Sequence, residues 1–165
     1  MIKTIIVEDE KVIREGLKKH VPWARLGIDE VYDASRAEDA IELCEKMKPD
    51  IIVSDIRMPG MDGIELCRKL REKYEKCKII FVTGFSDKEY LKAAISLQAV
   101  SYVEKPVNIK EISSALENAV EQIKKSRVYE QAVVHSVFTK SDIFEYQWSG
   151  DSFFTAGILY TMSFS

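Results

Sequence analysis

The chain has 165 residues, a hydrophobic fraction of 46% and a formal net charge of −3, enough for one ordinary core and a small appendage. That charge, with no long basic run, speaks against a polyanion binder, and no apolar run reaches the length of a membrane span. Cys44, Cys67 and Cys77 lack CxxC spacing, His20 and His135 stand alone, and "MIKTIIVEDE" has no leader character, so a metal cluster of Cys and His is not expected and the thiols read as reduced ones in a cytoplasmic protein.

Strand-like and helix-like segments alternate. "KTIIV" (3–7) is short and β-branched, and it ends in Glu8, Asp9 and Glu10. Ile13, Leu17 and Val21 have helical spacing over 12–21. "DEVYDA" (29–34) reads as a second strand. Ser35 and Glu38 make a capping-box pattern before Ala37, Ala40, Ile41, Cys44 and Met47, and Pro49 ends that helix. "DIIVSD" (50–55) is the third strand. A helix over 62–74 carries Ile64, Cys67 and Leu70 on one side, and "KIIFVTG" (78–84) is the fourth strand. Ser86 and Glu89 repeat the capping box before Tyr90, Leu91, Ala94 and Ile95. "AVSYVEKP" (99–106) is the fifth strand. Asn108 and Glu111 open a last helix through Ile109, Ile112, Leu116, Ala119 and Ile123. Cys44 and Cys67 are expected in the core and Cys77 at an exposed turn.

Five βα units with continuously apolar strands predict a parallel sheet buried on both faces, with right-handed crossovers. Such sheets place their sites beyond the carboxyl ends of the strands. With strand order 2-1-3-4-5, Glu8 and Asp9, Asp55, Thr83, and Glu104 with Lys105 share one rim. Clustered carboxylates repel one another and require a cation, and hard oxygen ligands suit Mg²⁺. A divalent ion, an ammonium and a hydroxyl together make a phosphoryl-binding set, and a carboxylate can be its nucleophile. Asp55, rigid at the end of an apolar strand, is therefore the candidate phosphoacceptor. The loop "MPGMDG" behind it carries Gly60 and Gly63, expected to turn sharply and approach the ligand closely.

"VEDE", "SDIRMPGMDG", "FVTG" and "YVEKP", in this order and spacing, resemble the receiver domain of two-component response regulators over residues 1–125. The resemblance implies a flavodoxin-like (βα)5 sandwich in which Asp55 takes phosphate from a sensor histidine kinase. It also implies Mg²⁺ held by Glu8, Asp9, Asp55 and the backbone carbonyl of Arg57, a conserved hydroxyl and lysine at Thr83 and Lys105, a switch aromatic at Tyr102, and a cis peptide at Lys105–Pro106. Trp23 after Pro22 is similar to receivers joined to AraC-type helix-turn-helix output domains. Gln98 departs from that pattern, since glycine is common there, so the turn it occupies is expected to be strained or differently shaped.

Residues 126–165 are expected to be a linker helix and an aromatic-rich segment, the start of a further region. The alternation in "SFFTAGILYTMSF" (152–164) suggests a strand or hairpin arm. The last helix has two readings: one face packed on the sheet, or a continuation past Lys125 into a short coiled coil with a partner. The expected output is transcription regulation through dimerisation and a DNA-binding domain absent from the chain, with no membrane partner. A stand-alone receiver acting only by protein contacts is the alternative. An aspartyl-nucleophile phosphatase needs a second acid two residues after the nucleophile, where this chain has Arg57. A flavin or nucleotide site is disfavoured by the acidic, glycine-free "EDEKVI".

Overall fold

The computed structural model describes residues 1–84 and 88–143, with side chains described to residue 134. In chain order the elements are β1 (Lys3–Val7), α1 (Lys11–His20), α2 (Trp23–Leu26), β2 (Glu30–Ala34), α3 (Ala37–Met47), β3 (Ile51–Asp55), α4 (Gly63–Lys73), β4 (Lys78–Thr83), α5 (Lys88–Ser96), β5 (Ser101–Glu104) and α6 (Ile109–Ile143). The five strands form one sheet, ordered β2-β1-β3-β4-β5, and every pairing is parallel. The doubly wound α/β architecture expected from the sequence is the one observed.

Successive strand side chains point to opposite faces, which divides the apolar residues into two cores. Ile5, Val7, Ile52, Ile79 and Phe81 face α3, α4 and α5, packing with Ala40, Cys44, Leu66, Cys67 and Ala94. Ile6, Ile51, Val53, Ile80, Val82 and Val103 face α1, α2 and α6, packing with Leu17, Leu26, Ile112, Leu116 and Ala119. All of β3 is buried. Each fully buried aliphatic side chain contributes about 1.5–3 kcal/mol, so β3 is held as the rigid centre of the sheet.

Several local expectations are corrected. The Ser35–Glu38 capping box is not formed: α3 starts from an extended Arg36 whose side chain makes no cap bond, and Glu38 pairs with Arg36 at 3.4 Å. Glu38 and Asp39 in the first turn still complement the helix dipole. Ser86 lies outside the described residues. Asn108 does cap α6, its Oδ1 accepting from the Lys110 N–H at 2.9 Å. The short α2 was not expected; Gly27, at φ +78°, closes it in the left-handed region. Cys77 is buried, with 5% exposure, as part of the core that holds Leu70, Ile79 and Leu97, and Arg71 ties its turn by donating to the carbonyls of Cys77 at 2.8 Å and Leu97 at 2.7 Å. Gln98 takes a positive φ of 53°, as its departure from glycine suggested, and the Lys105–Pro106 peptide is cis.

The chain divides into two compact units, Met1–Arg127 and Val128–Ser165. Within the first, the Ile112, Leu116, Ala119 and Ile123 face of α6 is buried on the sheet, which is the simpler reading of its spacing. Arg127 ties the same helix to the far rim of the sheet, donating to Asp50 Oδ1 at 2.6 Å and the Met1 carbonyl at 3.1 Å. In the second unit α6 runs on to Ile143, with Val128, Tyr129, Val133 and Val134 exposed. The hairpin expected over 152–164 lies outside the described residues. Among the described residues, no helix is long and apolar enough to cross a membrane.

Candidate functional site

Register sets the site. Val7 pairs with Ser54, Asp55 with Val82 and Thr83 with Glu104, so β1, β3, β4 and β5 end at one level. Glu8 and Asp9 follow β1, Asp55 closes β3, Thr83 closes β4 and Lys105 follows β5. The structure brings all five to one rim.

Glu8 and Asp55 are buried, with 1% and 5% exposure, and Thr83 is fully buried. Lys105 Nζ reaches between the two carboxylates, 2.7 Å from Asp55 Oδ2 and 3.0 Å from Glu8 Oε1. Glu10 Oε1 lies 3.4 Å from the same ammonium. Glu8 Oε1 also accepts from the Glu10 N–H at 3.2 Å. Glu8 Oε2 sits 3.0 Å from Nζ but is out of hydrogen-bond alignment and has no acceptor role filled, although fully buried.

The electrostatics follow from this burial. Desolvation pushes the Glu8 carboxyl up to about 7, the nearby Asp55 charge adds to the rise, and Lys105 only partly offsets it. Desolvation lowers the Lys105 ammonium, but the hydrogen bonds it donates to Asp55 and Glu8 outweigh this and hold the group above its ordinary value. One ammonium is thus surrounded by more negative charge than it can neutralise.

Glu8, Asp9 and Asp55 each offer an oxygen within 4.8 Å of the others, a grouping that fits a divalent cation. The donors are all hard oxygens, and Glu8 Oε2 is a buried acceptor lacking a hydrogen bond. The Arg57 N–H donates to Asp55 Oδ1 at 3.2 Å, and its side chain turns outward to the Tyr90 hydroxyl at 3.2 Å. Tyr102 is half-buried on β5, packed against the core on the α5 side.

Two contributions were not read from sequence: the packing role of Gly63, which was assigned to ligand approach, and the whole of Arg14. Gly63 opens α4 directly against the strand end. A Cβ there would lie 2.0 Å from the Asp55 carbonyl oxygen, so the residue serves close packing of helix on strand, not the ligand approach expected of it. Gly60, at φ +83°, makes the turn. Asp62 caps α4 by accepting from the Glu65 N–H at 2.8 Å. The second contribution is that of Arg14 on α1. Its Nη1 donates to the Glu8 carbonyl at 2.6 Å and lies 3.4 Å from that of Asp9, while Nε donates to Asp33 Oδ2 at 3.0 Å. Main-chain acceptors leave no trace in a sequence, so no spacing announced this contact.

The response regulator receiver domain family matches residues 4–117. The chain is 33% identical over 140 residues to an uncharacterised response regulatory protein of Staphylococcus epidermidis, covering 84% of this chain and 55% of the relative. It is 31% identical over 135 residues to the uncharacterised transcriptional regulatory protein YesN of Bacillus subtilis, covering 82% and 37%. The chain spans about half the length of the curated relatives it matches. Among solved structures, a two-component transcriptional regulator AraC from Clostridium phytofermentans superposes with a TM-score of 0.71 at 36% identity, covering 78% of this chain and 99% of that one. The receiver domain of AraT, a response regulator from Geobacillus stearothermophilus, also gives 0.71, at 31% identity over 76% and 98%.

Proposed function

The chain belongs to the response regulator receiver domain family, a family of phosphoacceptor switches, and we propose that Asp55 is its phosphoacceptor. One observation carries the reading: a buried Asp55 carboxylate ends the central strand, 2.7 Å from the Lys105 ammonium and within 4.8 Å of oxygens from Glu8 and Asp9. Glu8, Asp9, Asp55 and the Arg57 carbonyl would hold Mg²⁺, which when bound neutralises phosphoryl oxygens together with the clustered acids.

The chain's own residues do the rest. An Asp55 carboxylate oxygen attacks phosphorus; the new P–O bond forms as the P–N bond to the kinase histidine breaks, and the electron pair leaves with the imidazole, which takes up a proton. Lys105 turns from the carboxylates to a phosphoryl oxygen, and the Thr83 hydroxyl donates to another. The phosphoryl group adds roughly two negative charges and three acceptor oxygens. Inward movement of Thr83 opens space for Tyr102, shifting the population of the face formed by α5, β5 and α6.

The partner in this reading is a sensor histidine kinase in the cytoplasm. Transcriptional regulatory proteins among the relatives support an output in transcription, which in this reading runs through a homodimer and a separate DNA-binding region. A stand-alone receiver acting by protein contacts is the competing output, and full-length reading frames decide between them. The test of the acceptor is incubation with acetyl phosphate and Mg²⁺, followed by intact-mass measurement. Wild type should gain one phosphoryl group and Asp55→Asn none; equal labelling of both removes Asp55 from the role.

A further inference from the structure

We propose that Arg14 is a positioning residue for the Mg²⁺ site: it fixes the main chain of the acidic pair so that Glu8 and Asp9 present their carboxylates together. The proposal rests on the reading of that site given above. Arg14 sits on α1 and approaches the acids from behind. Its Nη1 nitrogen reaches the carbonyl oxygens of both Glu8, at 2.6 Å, and Asp9, at 3.4 Å, and so holds consecutive peptide units. The other edge of the guanidinium is fixed by Asp33 on β2, whose Oδ2 accepts from Nε at 3.0 Å. Arg14 keeps only 13% of its side chain exposed.

Asp33 answers the charge. Burial acts to raise its carboxyl, but Lys18 at 2.6 Å and Arg14 at 3.0 Å prevail and hold it below the usual carboxylate range. An ionised Asp33 therefore faces the guanidinium, so the positive charge that Arg14 brings near a cation site is offset while its directed N–H groups remain. A planar fork suits this task and an ammonium does not: Arg14 contacts carbonyls on one edge and a carboxylate on another, which a single point donor cannot span. Groups that orient metal ligands commonly change affinity by about 10–100-fold when removed.

The test is Mg²⁺ titration followed by isothermal calorimetry, with melting in EDTA measured alongside. Arg14→Ala should weaken Mg²⁺ about tenfold beyond what any loss of metal-free stability explains. Arg14→Lys, which keeps the charge and can keep the Asp33 pair, should weaken it nearly as much; it carries the test if Arg14→Ala does not fold. Lys18→Ala removes a neighbouring cation that touches neither carbonyl and should shift affinity less than about twofold. Wild-type affinity in Arg14→Ala, or full rescue by Arg14→Lys, overturns the proposal while leaving the site reading intact. A wild-type protein that binds no Mg²⁺ overturns both.

Discussion

Gly63→Ala separates two opposed physical effects. Gly63 has no positive φ, so alanine is conformationally acceptable, and helix propensity alone favours it by up to about 1 kcal/mol. Sterics act the other way. The new Cβ would lie 2.0 Å from the Asp55 carbonyl oxygen, 2.8 Å from Ser54 Oγ and 2.9 Å from the Asp55 carbonyl carbon. Two of those atoms are backbone of the central strand and cannot swing aside. Reaching ordinary contact at 3.4 Å needs a shift of 3.4 − 2.0 = 1.4 Å between α4 and β3. Overpacking of a rigid core typically costs about 1–3 kcal/mol, and here it is met at the upper end, leaving a net loss of about 2 kcal/mol. For the Met1–Arg127 unit that is a fall of about 8 °C in Tm. Differential scanning calorimetry reads it directly, and acetyl-phosphate labelling should slow because the shift displaces Asp55. Gly60→Ala is the control: among the described residues its Cβ meets only Glu38 Oε1, at 3.6 Å, so the cost is that of φ +83°, about 1 kcal/mol. A Gly63→Ala protein melting at or above wild type would refute the reasoning.

Lys105→Ala leaves the buried Glu8 and Asp55 carboxylates facing one another; the metal-free protein should lose about 3 kcal/mol in urea unfolding, and added Mg²⁺ should recover part of it. Glu8 gives a pH dependence. Its folded value of about 7 lies above the ordinary 4.5, so between these the folded state binds more protons than the unfolded state. Stability in EDTA should fall as pH rises from 4.5 to 7 and level off above, and Glu8→Gln should flatten that slope. Gln98→Gly relieves a left-handed residue at φ 53° and should stabilise the protein by about 0.5–1 kcal/mol, seen as a higher Tm.

The sheet was legible because β1, β3 and β4 are short, largely apolar runs, each leading to a polar rim residue, and that coincidence of Glu8, Asp55 and Thr83 also announced the site. What escaped had no periodic signature. The four residues of α2 are too few to show helical spacing, although Pro22 and Gly27 frame them. Ser35 had the right spacing for a cap, but the helix starts from Arg36 instead. Cys77 sits in a charged stretch that reads as exposed, and its place in the core beside residues distant in sequence, such as Leu97, has no local signature. Gly63 and Arg14 both act on main-chain atoms, whose positions follow from strand order and helix docking, not from side-chain pattern.

The central claim is that Asp55 itself becomes an acyl phosphate. Treatment with acetyl phosphate and Mg²⁺, then borohydride reduction and peptide mass mapping, converts the phosphorylated aspartate to homoserine and identifies it. The account predicts homoserine at position 55, lost when Mg²⁺ is omitted. Reduction at Glu8, Asp9 or another carboxylate, or no reduced product from a folded and Mg²⁺-binding protein, would contradict it.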